Sequence, residues 1–159
     1  MAISKKNLPL ALVTGAGIGI GEATSITLGK LGYRVIVTDI LEKEGKAVAR
    51  KINRSGVAEF YNMDVASTEN VNSVISDVEK KYRKPLEVII NNAGIAKTMP
   101  MRGLKDEDWD WIHEVDLKGM MRVCRAAAPK MRKAKSGSIV CLSSIAGYAV
   151  GWDKHVPYS

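Results

Sequence analysis

Cysteine is scarce in this chain. Of 159 residues, only Cys124 and Cys141 carry a thiol, and they form no C-x-x-C pair. That excludes a disulfide-built scaffold, and their apolar sequence surroundings read as buried, reduced thiols. Together with His113 and His155 they lack metal-ligand spacing, so no metal site is expected. Long apolar runs are missing too, and none approaches the roughly 20 residues of a membrane-spanning helix. The basic opening, Met1 to Asn7, leads into only six apolar residues before Thr14. These read as a strand and not as a signal peptide, so a cytoplasmic protein without membrane association is expected. Aromatics are few, at 6%, and no basic stripe interleaves with them, although the net charge is +7. Nucleic acid is therefore not an expected partner, while anionic substrates or acidic carrier proteins stay compatible with the charge. There is no low-complexity segment, no interdomain linker and no internal repeat beyond the alternation described below.

What is present is a glycine cluster, and the rest of the chain is organised around it. The stretch Thr14-Gly15-Ala16-Gly17-Ile18-Gly19-Ile20-Gly21 follows the apolar Leu8–Val13 and precedes a run of helix formers, Glu22 to Leu31. The glycines thus sit where a buried strand turns into a helix. Gly15 permits a sharp turn, Gly19 lets a pyrophosphate approach the backbone, and Gly21 lets the helix pack closely. The first amides of the helix, aided by its dipole, then face the phosphates.

Strand and helix patterns alternate onward. Tyr33–Thr38, Val57–Tyr61, Leu86–Ile90 and Ser138–Leu142 read as strands. Glu42–Arg54 reads as an amphipathic helix, and Ser67 or Thr68 caps another whose inner face is Val71, Val74, Ile75, Val78 and Tyr82. After a loop over Ala96–Gly103, acids at Asp106-Glu107-Asp108 open one long helix. Its expected buried side is Trp109, Ile112, Val115, Met120, Val123, Cys124, Ala127 and Met131. Trp111 is also read as a packing residue, and Gly147–Ser159 as loop.

Alternation of this kind implies a single α/β domain over 1–159, with a doubly wound parallel sheet in the order 3-2-1-4-5. The ends of strands one, four and five carry the glycine loop, Asn91–Gly94 and Ser143-Ser144. Side by side, they open at the carboxyl edge, where ligands bind in such sheets. Asp39 ends strand two, eighteen residues after Gly21. A carboxylate there accepts the hydroxyls of an adenosine ribose and repels a 2′-phosphate. No basic residue accompanies it, since Ile18 precedes Gly19 and Ile40 follows Asp39. NAD is therefore favoured over NADP. Asp64-Val65 ends strand three, where a carboxylate either meets the adenine amino group or serves as a turn aspartate.

These residues resemble the short-chain dehydrogenase/reductase family. Thr14-Gly15-x-x-x-Gly19-x-Gly21, Asp64, Asn91-Asn92-Ala93-Gly94, Ser143-Ser144 and Tyr158 are similar to it in type, order and spacing over essentially the whole chain. The resemblance implies a Rossmann fold and hydride transfer between a nicotinamide cofactor and a small alcohol or carbonyl substrate. The cofactor residues it implies, with those read above, are Gly15, Ile18, Gly19, Ile20, Gly21, Asp39, Ile40, Asp64, Val65, Asn91, Ala93 and Gly94. Asn91 is expected near the cofactor, tying neighbouring strands together. Ser144 would hydrogen-bond the substrate oxygen, and Tyr158 would give or take its proton. An unperturbed phenol titrates near pH 10, about three units too high for an efficient base near neutrality. The family lowers it with a lysine four residues on, a position past Ser159. The chain is accordingly expected to be the front part of a longer, Rossmann-type domain truncated on its C-terminal side, inactive alone and a dimer or tetramer when whole. Asp116 stands where the family has an asparagine supporting that lysine through water, so it joins the catalytic candidates. The competing readings are a non-catalytic nucleotide-binding module or sensor, and a methyltransferase on a similar sheet; the Asn91–Gly94 and Ser144…Tyr158 pairings speak against the latter.

Overall fold

A computed structural model describes residues 7–148 and 154–158. Five strands alternate with helices: β1 (Leu10–Thr14), α1 (Gly19–Lys30), β2 (Arg34–Asp39), α2 (Glu42–Ile52), β3 (Val57–Asn62), α3 (Thr68–Tyr82), β4 (Val88–Asn91), α4 (Asp106–Asp116), α5 (Lys118–Ala134) and β5 (Ser138–Cys141). Short 3₁₀ turns cover Ile145–Gly147 and Val156–Tyr158.

All strands pair in parallel, in the order β3-β2-β1-β4-β5, as the alternation implies. The central strands are apolar on both faces because both are covered. Leu10, Leu12, Ile36 and Ile89 point into one core layer, with Val71, Val74, Ile75 and Val78 of α3 and Val123, Ala127 and Met131 of α5. Val13, Val35 and Val37 point the other way, onto Val48, Ala49 and Ile52 of α2. The period of two along β1 and β2 thus feeds two cores from one strand run. Ser67 caps α3, its Oγ accepting from the Asn70 amide at 3.2 Å. No helix among the described residues is long and apolar enough to cross a membrane.

Three expectations need correction. The expected single long helix is two, α4 and α5, broken at Leu117. At the break the Glu114 carbonyl accepts Arg122 Nη1 at 2.9 Å, and the same guanidinium reaches Thr68 Oγ1 (3.1 Å) and the Val65 carbonyl (3.3 Å). Trp109 and Trp111 do not pack inside; they are 43% and 46% exposed. Trp109 instead stacks on His113, and Lys97 lies over the Trp111 ring. Cys141 is exposed and Cys124 half-buried, because β5 is an edge strand whose outer side no described element covers. Of the stretch read as loop after Gly147, residues 149–153 and 159 lie outside the described residues.

Candidate active site

The glycine loop leaves β1 and enters α1. Gly15 and Gly19 have φ of +59° and +57°, the left-handed region that side chains disfavour. A Cβ on Gly15 would lie 2.8 Å from Ala93 Cα, and one on Gly21 would lie 2.1 Å from the Gly15 carbonyl oxygen. Gly21 therefore packs on the loop itself and less on the sheet. A Cβ on Gly19 meets nothing within 4 Å, so its surroundings are open, as a ligand's phosphates require. Ile18, which precedes the helix, offers no side-chain oxygen to the first-turn amides. Those donors keep their capacity for an anion.

Two residues of the quoted motifs that were given no role of their own, Thr14 and Asn92, hold this loop. Thr14 Oγ1, 1% exposed, accepts the amides of Asn92 (3.0 Å) and Ala93 (2.9 Å). Asn92 Nδ2 donates back to the carbonyls of Thr14 and Gly15, each at 3.0 Å. The loops after β1 and β4 are thereby fused into one floor. The register, with Val13 opposite Ile90, places them side by side.

Asp39 closes the loop from the other side. Its Oδ2 accepts the Gly17 amide at 2.7 Å and its Oδ1 accepts the Leu41 amide at 2.9 Å. A Cβ on Gly17 would come 2.9 Å from Oδ2, so glycine at 17 also serves this contact. Each carboxylate oxygen retains a second acceptor site. Ile18, Ile20 and Ile40 are 57%, 66% and 63% exposed. Asp64 is exposed and turns the chain toward α3, its Oδ1 accepting the Ala66 amide at 2.8 Å while its own amide donates to Asn70. Val65 is buried against Gly119. Asn91 faces inward: its Nδ2 reaches Cys124 of α5 and Cys141 of β5, so it links β4 to those two elements.

A cavity of about 480 Å³ opens at the carboxyl edge beside this floor. Ile20, Asn92, Ala93 and Gly94 form one wall, and Ser144 and Tyr158 line the same space. Ser144 is half-buried and accepts the Ala146 amide at 3.2 Å, which sets its rotamer. Tyr158 sits on a turn held by Met99, which pairs with His155 in a parallel bridge. Asp116 also lines the cavity, and its Oδ1 accepts the Ile95 amide at 2.8 Å. Burial raises its pKa above the ordinary carboxylate value, against the Ile95 amide and the nearby His113. His113 is a titratable wall residue to which the sequence reading gave no site role, and its Nδ1 lies 2.9 Å from the Trp109 carbonyl. Its helical position one turn before Asp116 is the signal that points to it. Gly15, Gly19, Asp39 and Asp64 do not line this cavity. The loop amides and the Asp39 carboxylate lie at the ends of β1 and β2, and the Ser144 and Tyr158 side chains line the cavity beside the end of β4.

Known proteins resemble this chain in sequence and in fold. The family model described as short chain dehydrogenase matches residues 9–159. The chain is 37% identical over 143 residues to the 3-oxoacyl-[acyl-carrier-protein] reductase FabG of Staphylococcus aureus, covering 89% of this chain and 57% of that protein. It is 35% identical over 147 residues to the peroxisomal hydratase-dehydrogenase-epimerase of Neurospora crassa, covering 87% of this chain and 16% of that one. Among solved structures, a metagenomic short-chain oxidoreductase in complex with NADP superposes with a TM-score of 0.88 at 34% identity, over 98% of this chain and 69% of that chain. The chain thus spans a little over half the length of the FabG relative it matches.

Proposed function

The chain belongs to the short-chain dehydrogenase/reductase family, and we propose that it forms the cofactor site and the reacting edge of an NAD(H)-dependent oxidoreductase. The reaction is hydride exchange with an alcohol or carbonyl carbon of a small molecule. The residues present fit a dinucleotide, since the space around Gly19 is open and no side chain caps the first-turn amides of α1. Amides of Gly19 and Ile20 hold the diphosphate, Asp39 and Ile40 flank the adenosine ribose, and Asp64 and Val65 border the adenine. Gly15, Ile18 and Gly21 shape the loop, Ala93 and Gly94 form the floor toward the cavity, and Asn91 holds that strand end to α5 and β5 beside the cofactor. The bound nicotinamide supplies or takes the hydride. Ser144 Oγ donates a hydrogen bond to the substrate oxygen and stabilises the charge that grows there in reduction. The Tyr158 hydroxyl gives that oxygen its proton in reduction and takes it back in oxidation. Asp116 orients the Ile95 segment through its amide bond and stands within the proton-transfer region.

The observation that carries the reading is the meeting of Ser144 and Tyr158 in one cavity with the Asn92–Gly94 floor. NAD is supported by the buried Asp39 carboxylate and by the apolar Ile18 and Ile40 beside it. A 2′-phosphate there meets a negative charge, and neither Ile18 nor Ile40 offers it a cation. We place the protein in the cytoplasm, where thiols such as Cys124 and Cys141 are kept reduced. We place a dimer or tetramer contact on α4 and α5, where Trp109, Trp111, Leu117 and Met121 are exposed. The test has two stages. NADH, NADPH and S-adenosylmethionine are titrated against the chain, with NADH expected to bind tightest. Turnover of an alcohol panel is then measured in a form extending past Ser159, where Tyr158→Phe is expected to remove activity. Wild-type rates in that variant refute the tyrosine role, and NADH binding without any turnover leaves a nucleotide-binding module.

A further inference from the structure

Asn91 ends β4 opposite Cys141 on β5, and it is 2% exposed. Its Nδ2 lies 3.4 Å from the Cys124 sulfur and 3.4 Å from the Cys141 sulfur. One amide therefore brackets both thiols of the chain, brought together from α5 and β5 across seventeen sequence positions. The Oδ1 of the same side chain is buried without a hydrogen-bond partner among the described residues. Both sulfurs lie 3.4 Å from the same nitrogen, so they are near neighbours, and burial with the adjoining Cys141 pushes the Cys124 thiol up. Cys141 is open to solvent, while Cys124 is half-buried behind it. The hydride chemistry proposed above uses neither sulfur.

We propose that Cys124 and Cys141 form an oxidisable dithiol site that hydroperoxides convert to an intrachain disulfide. The exposed Cys141 reacts first. Its thiolate sulfur attacks the peroxide, an S–O bond forms, the O–O bond breaks and one water leaves. The Cys124 sulfur then attacks the Cys141 sulfur; the S–S bond forms, the S–O bond breaks, and the hydroxyl departs as water with the thiol's proton. Two thiols are oxidised by two electrons in all, and one hydroperoxide is reduced to two waters, or to water and an alcohol. Asn91 positions the pair, because its amide donates toward both sulfurs and stabilises negative charge on whichever ionises. The disulfide ties α5 to the strand end that leads into Ser144, three residues beyond Cys141.

The experiment uses the whole chain, reduced with dithiothreitol, freed of reductant and exposed to hydrogen peroxide. Intact mass and thiol titration are the readouts. The expected result is loss of both thiols and of two hydrogens from the mass, without covalent dimer, and full recovery on reduction. Cys124→Ser is expected to leave Cys141 as a sulfenic acid trapped by dimedone, and Cys141→Ser to leave Cys124 largely unreacted under the same exposure. Retention of two free thiols by the native chain, when the guanidinium-unfolded chain loses them, overturns the proposal. So does a product made only of intermolecular dimers or of sulfinic acid. Because the wild-type chain alone decides between these results, a variant that fails to fold does not shelter the idea.

Discussion

Thr14 Oγ1 accepts two successive amides, those of Asn92 and Ala93, at 3.0 and 2.9 Å. A single hydroxyl thus joins the end of β1 to the end of β4 and makes one floor from two loops. Thr14→Val keeps the shape and removes the acceptor. Both amides then lose their partner in a part-buried setting, and the variant is expected to lose about 1–3 kcal/mol of stability. Urea denaturation reads this as a lower midpoint with unchanged slope. An unchanged midpoint refutes the role given to this hydroxyl.

The two glycines that bracket the start of α1 separate folding from binding. Gly21→Ala puts a methyl 2.1 Å from the Gly15 carbonyl oxygen, a backbone atom that cannot step aside. It is expected to cost about 3 kcal/mol or more, and thermal unfolding shows it. Gly19→Ala meets open space but a φ of +57°. Its stability loss is expected near 1–2 kcal/mol, the left-handed penalty alone. Its effect on NADH affinity should exceed its effect on stability, because the new methyl occupies the cradle. Titration of folded protein checks that difference.

Nucleotide choice is expected to rest on Asp39 and on its apolar neighbour. Asp39→Asn with Ile40→Arg removes the carboxylate's charge, keeps an acceptor for a loop amide and adds a cation. The NADH-to-NADPH affinity ratio should fall by about tenfold or more, roughly 1.4 kcal/mol. Equilibrium fluorescence titration measures both constants in one protein. A ratio that stays put means that the preference is set elsewhere.

Asp116 supplies a pH-dependent prediction. Its folded-state pKa lies above the ordinary 3.8 chiefly because burial disfavours the charged form. The folded state therefore prefers the protonated carboxyl. Stability contributed by this group is present below 3.8 and declines as pH rises through the folded-state value. Asp116→Asn keeps the acceptor for the Ile95 amide and removes the charge. It is expected to raise the melting temperature at pH 7, and the gain should vanish below 3.8. A gain that persists unchanged in acid rules out this origin.

The order of the strands and the edge at which the site opens were legible in the sequence. Apolar runs at β1, β2 and β4 alternate with helix patterns, and parallel strands so connected have one hand of crossover. The glycine loop, Asn91–Gly94 and Ser144 were visible as polar or glycine-rich strand ends, so their convergence followed. The partners that hold them were not. Thr14 is a strand-end threonine in sequence, and its double acceptance depends on where β4 ends relative to β1. Gly17 gave no sign that Asp39 would sit against it. The break at Leu117 was invisible because Arg122, five residues on, takes a carbonyl of the preceding helix.

Periodicity and punctuation in the chain alone thus determined the doubly wound sheet and the cleft at its carboxyl edge, because burial on both faces demands those patterns locally. Tertiary structure decided which face each ambiguous side chain took. Trp109 matches a buried helical stripe and Trp111 reads as a packing residue, yet they are 43% and 46% exposed. Cys141 reads as a core thiol yet is exposed, because β5 is the sheet's edge. A residue's period says only that it has a preferred side. Whether another element stands on that side is settled by contacts between segments distant in sequence, which no local pattern encodes.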